Sequence, residues 1–195
     1  MKKKSKNAPF LGVRQITTVG MLSAISIILG ITGYGFVPLP LAKATILHVP
    51  VIIGAILEGP KAGMLIGLMF GAFSMMQNIM SPNLLSFAFM NPLVSVLPRV
   101  LIGFTAYYSY KLVRSKNENL RIGIAAVVGS LTNTIGVLGM IYLIYAAQYA
   151  QAKGITVSIA AKTIFGVAYM NGIAEAVVAV IITVAVVLAV KKVRK

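Results

Sequence analysis

Two charges stand inside apolar runs of this chain. Arg99 lies in "MNPLVSVLPRVLIG" (90–103) and Glu175 in "VAYMNGIAEAVVAVIITVAVV" (167–187). Even on lenient insertion scales, an arginine at the centre of a membrane helix costs about 2.5 kcal/mol or more. Either the two charges pair with each other, which limits the desolvation cost, or they line a wet cavity. Both readings put them inside a bundle rather than against lipid. The chemistry on offer is recognition: a guanidinium can grip a carboxylate through two parallel hydrogen bonds, and a carboxylate accepts hydrogen bonds from hydroxyls.

Further polar side chains gather near these two. Asn171 precedes Glu175 by four residues and shares its helical face. Gln77 and Asn78 end one apolar run, and Asn91 precedes Pro92 at the start of the next. Tyr142, Tyr145 and Tyr149 recur at i, i+3 and i+7, which reads equally as an interfacial belt or as a pocket wall. Asn133, between Gly129 and Gly136, either floors a cavity or bonds a neighbouring helix. His48 is the lone histidine; with no cysteine in the chain it has no partners for a metal site, so it reads as a hydrogen-bonded core residue or a ligand contact. "GMLSA" (20–24) stacks Gly20 and Ala24 one turn apart, a small-xxx-small pair that lets another helix approach, from this chain or from another subunit.

The same inventory is poor in catalytic chemistry. Three acids, one histidine and no cysteine leave little for acid–base or thiol reactions. No G-x-x-x-x-G-K-[ST], H-E-x-x-H or G-x-S-x-G occurs, so neither a nucleotide site nor a hydrolase motif is visible, and no cofactor or metal is expected.

The elements that must position these residues are membrane helices. Hydrophobic residues make up 58% of the 195 and charged ones 11%, outside the balance of a soluble domain. With about 20 apolar residues per span, the expected architecture is all-α: a single compact domain of six transmembrane helices over 13–32, 44–57, 62–78, 92–113, 121–147 and 167–190. The second is short and carries Pro50 as a break in its hydrogen-bond ladder. The net charge of +15 does not point to nucleic acid, because it is distributed as flanks of apolar runs. Lys2, Lys3, Lys4, Lys6 and Arg14 precede the first run, in a basic segment over about residues 1–12 and just beyond. Lys111, Arg114, Lys116 and Arg121 share one loop, and Lys191, Lys192, Arg194 and Lys195 end the chain. Together with Lys61 these fall on one side of a six-span topology, so both termini are expected in the cytoplasm. No A-x-A-like cleavage site follows the basic head, so the first run reads as a retained span. The outer connections 33–43, 78–92 and 148–166 are long and partly apolar. They read as lids over the mouth, or as interfacial segments; Pro38 and Pro40 stiffen the first.

Two stretches carry a resemblance. "ILHVPVIIGAILEGPKAGMLIGLMFG" (46–71) and "NPLVSVLPRVLIG" (91–103), within six short spans, are similar to S components of energy-coupling factor (ECF) vitamin transporters, in the branch of pantothenate and riboflavin binders. The resemblance implies a subunit that binds a vitamin from outside a bacterial cell membrane without catalysing a reaction. It also implies partners: a transmembrane T component and two ABC-type ATPases. Gly20 and Ala24 would then pack against the T component, in place of the commoner Ala-x-x-x-Ala. The pocket would lie in the outer half of the last three spans, closed by the first and third outer loops, in the region of Arg99, Asn171 and Glu175. Pantothenate, a small carboxylate with hydroxyl and amide groups, is the first expectation. Riboflavin or another micronutrient is the alternative, kept open by the tyrosines. A self-sufficient secondary transporter using Glu175 as a proton relay is the rival outside this class, although no internal repeat supports it. A membrane enzyme is the remaining rival.

Overall fold

Prolines set the starts of the helices. A computed structural model describes residues 11–38 and 43–194; Lys2, Lys3, Lys4, Lys6, Pro40 and Lys195 lie outside it. The elements are α1 (Val13–Thr32), β1 (Phe36–Pro38), β2 (Lys43–Thr45), α2 (Val49–Glu58), α3 (Pro60–Met80), α4 (Ser86–Phe89), α5 (Pro92–Ser95), α6 (Leu97–Leu112), α7 (Glu118–Lys153) and α8 (Val157–Val193). Pro50, Pro60, Pro92 and Pro98 each sit in the first turn of a helix, where the missing N–H has no partner to lose. Pro50 therefore opens α2 rather than breaking it. The chain is all-α but for one antiparallel hairpin, in which Phe36 pairs with Thr45 and Val37 with Ala44.

Among the described residues, four helices, α1, α3, α7 and α8, are long and apolar enough to cross a membrane. The expected second span is different. Residues 43–48 are strand and turn, and only 10 residues form α2, about 15 Å of helix. Val49 to Ile56 are all buried, so α2 is apolar all round because it sits inside the bundle rather than against lipid. The unwound stretch before it has its main-chain groups met: Ile46 N–H donates to the Gly35 carbonyl, and the Leu47 carbonyl accepts from Ser26 Oγ. Irregular backbone at such depth is tolerated when protein buries it.

The expected third outer loop is not a loop. α7 runs to Lys153, and α8 begins at Val157 after a turn whose Gly154 takes a left-handed φ of 65°. The span expected over 92–113 is interrupted at Val96, since Pro98 cannot donate to the Val94 carbonyl four residues back.

Close backbone contact fixes α6 against α3. A Cβ on Gly67 would overlap the Arg99 main-chain carbonyl, and one on Gly103 would overlap Gly63. Two buried clusters result. One surrounds α2 with Ile52, Ile66, Ile102, Ile122 and Val187. The other joins Ala88, Val94, Ile141, Tyr149 and Ile164 towards the α7–α8 turn. At the far side of the first cluster, Glu58 draws in Arg14 at 3.2 Å and Arg194 at 2.8 Å, so the start of α1 and the end of α8 meet at one end of the bundle.

Candidate functional site

Between the two clusters lies a cavity of about 410 Å³, within the size range of small-molecule sites. The hairpin side contributes Phe36, Thr45 and Leu47, and α3 contributes Phe70, Ser74, Gln77 and Asn78. Ser81, Asn83, Phe89 and Arg99 form another wall; Asn133, Thr134, Val137 and Leu138 of α7 and Val167, Asn171 and Glu175 of α8 complete it.

Arg99 reaches the wall through the helix break. The Val94 carbonyl orphaned by Pro98 accepts from Arg99 Nη1 at 2.5 Å. The guanidinium carbon lies 5.5 Å from the centroid of the Phe70 ring and 5.7 Å from that of Phe89, close enough for both aromatic faces to stabilise the cation. Ser95 Oγ donates to the Phe89 carbonyl and fixes the backbone of that residue. Arg99 is 6% exposed, and its Nε is buried without a hydrogen-bond partner.

Glu175 is 4% exposed and held by neutral donors. Its Oε1 accepts the Thr45 N–H at 2.7 Å, and its Oε2 accepts the Thr134 hydroxyl at 2.5 Å. Among the described residues, Arg99 and Glu175 form no direct ion pair. Of the two arrangements open from sequence, this is two charges on one cavity rather than a bridge. Asn133, on α7, adds an Oδ1 buried without a partner, and Asn171 adds a polar side chain one turn before Glu175.

Gln77 and Asn78 line the cavity, and Asn78 also makes three bonds within the local structure. Its Oδ1 accepts from Asn83 Nδ2 and Ser86 Oγ, each at 2.9 Å, and its Nδ2 donates to the Ser74 carbonyl. Gln77 Nε2 donates to the Gly30 carbonyl at 3.2 Å and ties α3 to α1.

Asn91, Tyr142, Tyr145 and His48 are not in the cavity wall. Asn91 caps α5 by accepting the Leu93 N–H, and its Nδ2 donates to Tyr145 Oη at 3.0 Å. Tyr142 packs on Phe165, and Tyr149 is buried in the second cluster. The stripe is broken because the backbone leaves helical geometry at Tyr145 (φ −127°). His48 is fully buried at the start of α2. Gly20 and Ala24 are exposed, and among the described residues nothing lies within 4 Å of a Cβ built on Gly20.

Sequence reasoning missed Thr45, Thr134, Phe70 and Phe89. Thr45 acts through its main chain, which no side-chain pattern reveals. Thr134 had only its adjacency to Asn133 as a signal. The arrangement presents a cation and a carboxylate in one cavity, among amide and hydroxyl side chains and apolar ones.

Comparison with known proteins agrees with that chemistry. Residues 14–187 match the family model described as ECF transporter, substrate-specific component. The chain is 32% identical over 171 residues to the pantothenic acid transporter PanT of Lactococcus lactis subsp. cremoris (strain MG1363), covering 80% of this chain and 82% of that one. It is 28% identical over 161 residues to the pantothenate transporter PanT of Leuconostoc mesenteroides subsp. mesenteroides, covering 78% and 79% respectively.

Proposed function

The chain belongs to the substrate-specific components of ECF transporters, and from that premise we propose that the cavity binds pantothenate. Members of this class bind a vitamin for uptake and are not enzymes, so the question is which ligand and how. The observation that carries the answer is the division of polar groups. Arg99, backed by Phe70 and Phe89, lines the cavity and brings a guanidinium to it. Glu175 presents a carboxylate from α8, with the amide side chains of Asn133 and Asn171 in the same wall. A ligand with a carboxylate at one end and hydroxyl and amide donors at the other satisfies both walls. Pantothenate has that layout, and both named relatives are pantothenate transporters. Riboflavin loses its support: Tyr142 and Tyr145 lie outside the wall, and Phe70 and Phe89 already flank a guanidinium.

The wider reading follows from charge. The chain makes six passes through a bacterial plasma membrane, with both termini in the cytoplasm and the cavity at the outer end. Support comes from the basic residues clustered at the Glu58 end. α2 covers only half of a bilayer core of about 30 Å, and the stretch 43–48 supplies the rest of that pass. Delivery requires a T component and two ABC-type ATPases. Gly20 and Ala24, exposed on α1, offer the docking face.

Calorimetry of the detergent-solubilised chain tests the ligand. Pantothenate should bind, and pantothenol, whose carboxylate is replaced by a hydroxymethyl group, should bind at least about tenfold more weakly, the worth of one charge-assisted contact. Equal binding would remove Arg99 from carboxylate recognition. No binding of pantothenate would refute the assignment.

A further inference from the structure

The two walls of the cavity exclude as well as admit. Arg99 brings the positive charge, and it is already oriented by the Val94 carbonyl and two aromatic rings. Glu175, on α8, lines the same cavity. Glu175 oxygens each take one donor and retain a second lone pair. Those donors are an amide and a hydroxyl, and among the described residues the ion pairs involve Glu58 and Glu118 rather than Glu175. Leu47, Val137 and Val167 stand in the same wall, and a charge beside apolar side chains is screened less than one in bulk water.

We infer that Glu175 sets specificity by rejection: the site admits a monoanion whose far end carries free hydroxyls, and refuses the same molecule once that hydroxyl bears a phosphate. This rests on the reading of the cavity as a pantothenate site. With the carboxylate on Arg99, the hydroxyl end falls against Glu175, where a hydroxyl donates and a phosphate dianion has nothing to donate and a like charge to face. Like-charge juxtaposition at a desolvated interface is strongly unfavourable.

Three ligands separate charge from bulk on the unmodified protein: pantothenate, its 4′-phosphate ester and its 4′-methyl ether. By calorimetry, the phosphate ester should bind about 100-fold more weakly than pantothenate, and the methyl ether within about tenfold of it. Glu175→Gln should narrow the phosphate penalty to about tenfold or less while the preference for pantothenate over pantothenol remains. A phosphate ester that binds within tenfold of pantothenate would overturn the inference and leave the pantothenate reading standing. So would a methyl ether rejected as strongly as the phosphate, since bulk would then be the cause. Absence of pantothenate binding would take down both.

Discussion

Among the described residues, Glu58 and Glu118 hold cations in ion pairs, whereas Glu175 is held by neutral donors. Glu58 holds Arg14 and Arg194 where the described chain begins and ends. Glu118 holds Arg121 at 3.1 Å and the Lys191 ammonium, with the Tyr110 hydroxyl donating to it at 2.6 Å. These two acids tie helix ends together at the end of the bundle where water is close, and their charge is consumed in doing so. Glu175 sits between two threonine donors on a cavity that also holds Arg99. A buried charge kept by neutral donors, with an opposite charge across an open space, is costly unless something fills the gap. The contrast separates charge that closes a fold from charge that waits for a partner.

Arg99→Ala is the most severe test of that contrast. If the Arg99 charge is held for a ligand, pantothenate affinity should fall about 100-fold or more, the usual loss when one partner of a desolvated, hydrogen-bonded charge pair is removed. The thermal midpoint of the empty protein, read in the same detergent, separates binding from folding. Unchanged affinity would put Arg99 in the same category as Arg121.

Glu118→Gln probes the other half of the comparison. Its side chain is 33% exposed, as is that of Lys191, so screening reduces the worth of its ion pairs to about 1 kcal/mol or less. The thermal midpoint should drop by a few degrees at most, about 1–3 °C, with pantothenate affinity unchanged within about twofold. A large loss of affinity would mean that the two ends are energetically coupled and that the division between them is false.

What the sequence made legible follows the same line. Arg99 and Glu175 stand out because charges in apolar runs are rare, and the expected bounds of the first span match α1, which Gly12 and Gly33 bracket. α2 was read as starting at Ala44 because hydropathy does not distinguish a buried strand from a buried helix. The turn at 154–156 was hidden by Gln148, Gln151, Lys153 and Lys162, which dilute the apolar signal although α7 and α8 continue through them by packing on each other. Within the site, side chains that carry the chemistry were visible and those that hold them were not. The Thr45 donor is main chain, the Thr134 hydroxyl resembles any helix threonine, and Phe70 and Phe89 differ from other phenylalanines only by what lies between them.

Tyr145→Phe carries the smallest expected effect and tests where the site stops. The Tyr145 hydroxyl accepts from Asn91 Nδ2, and its ring meets Phe87 edge-on at 5.5 Å, so it fastens the α4–α5 segment to α7. That segment also carries Phe89, one of the two rings on Arg99. Losing one partly buried hydrogen bond costs about 1 kcal/mol, and the ring remains to hold the contact. Pantothenate affinity should therefore change by less than about threefold, with any change in the dissociation rate because the loosened segment borders the cavity. A loss approaching that of Arg99→Ala would place Tyr145 in contact with the ligand and extend the site beyond the wall drawn here.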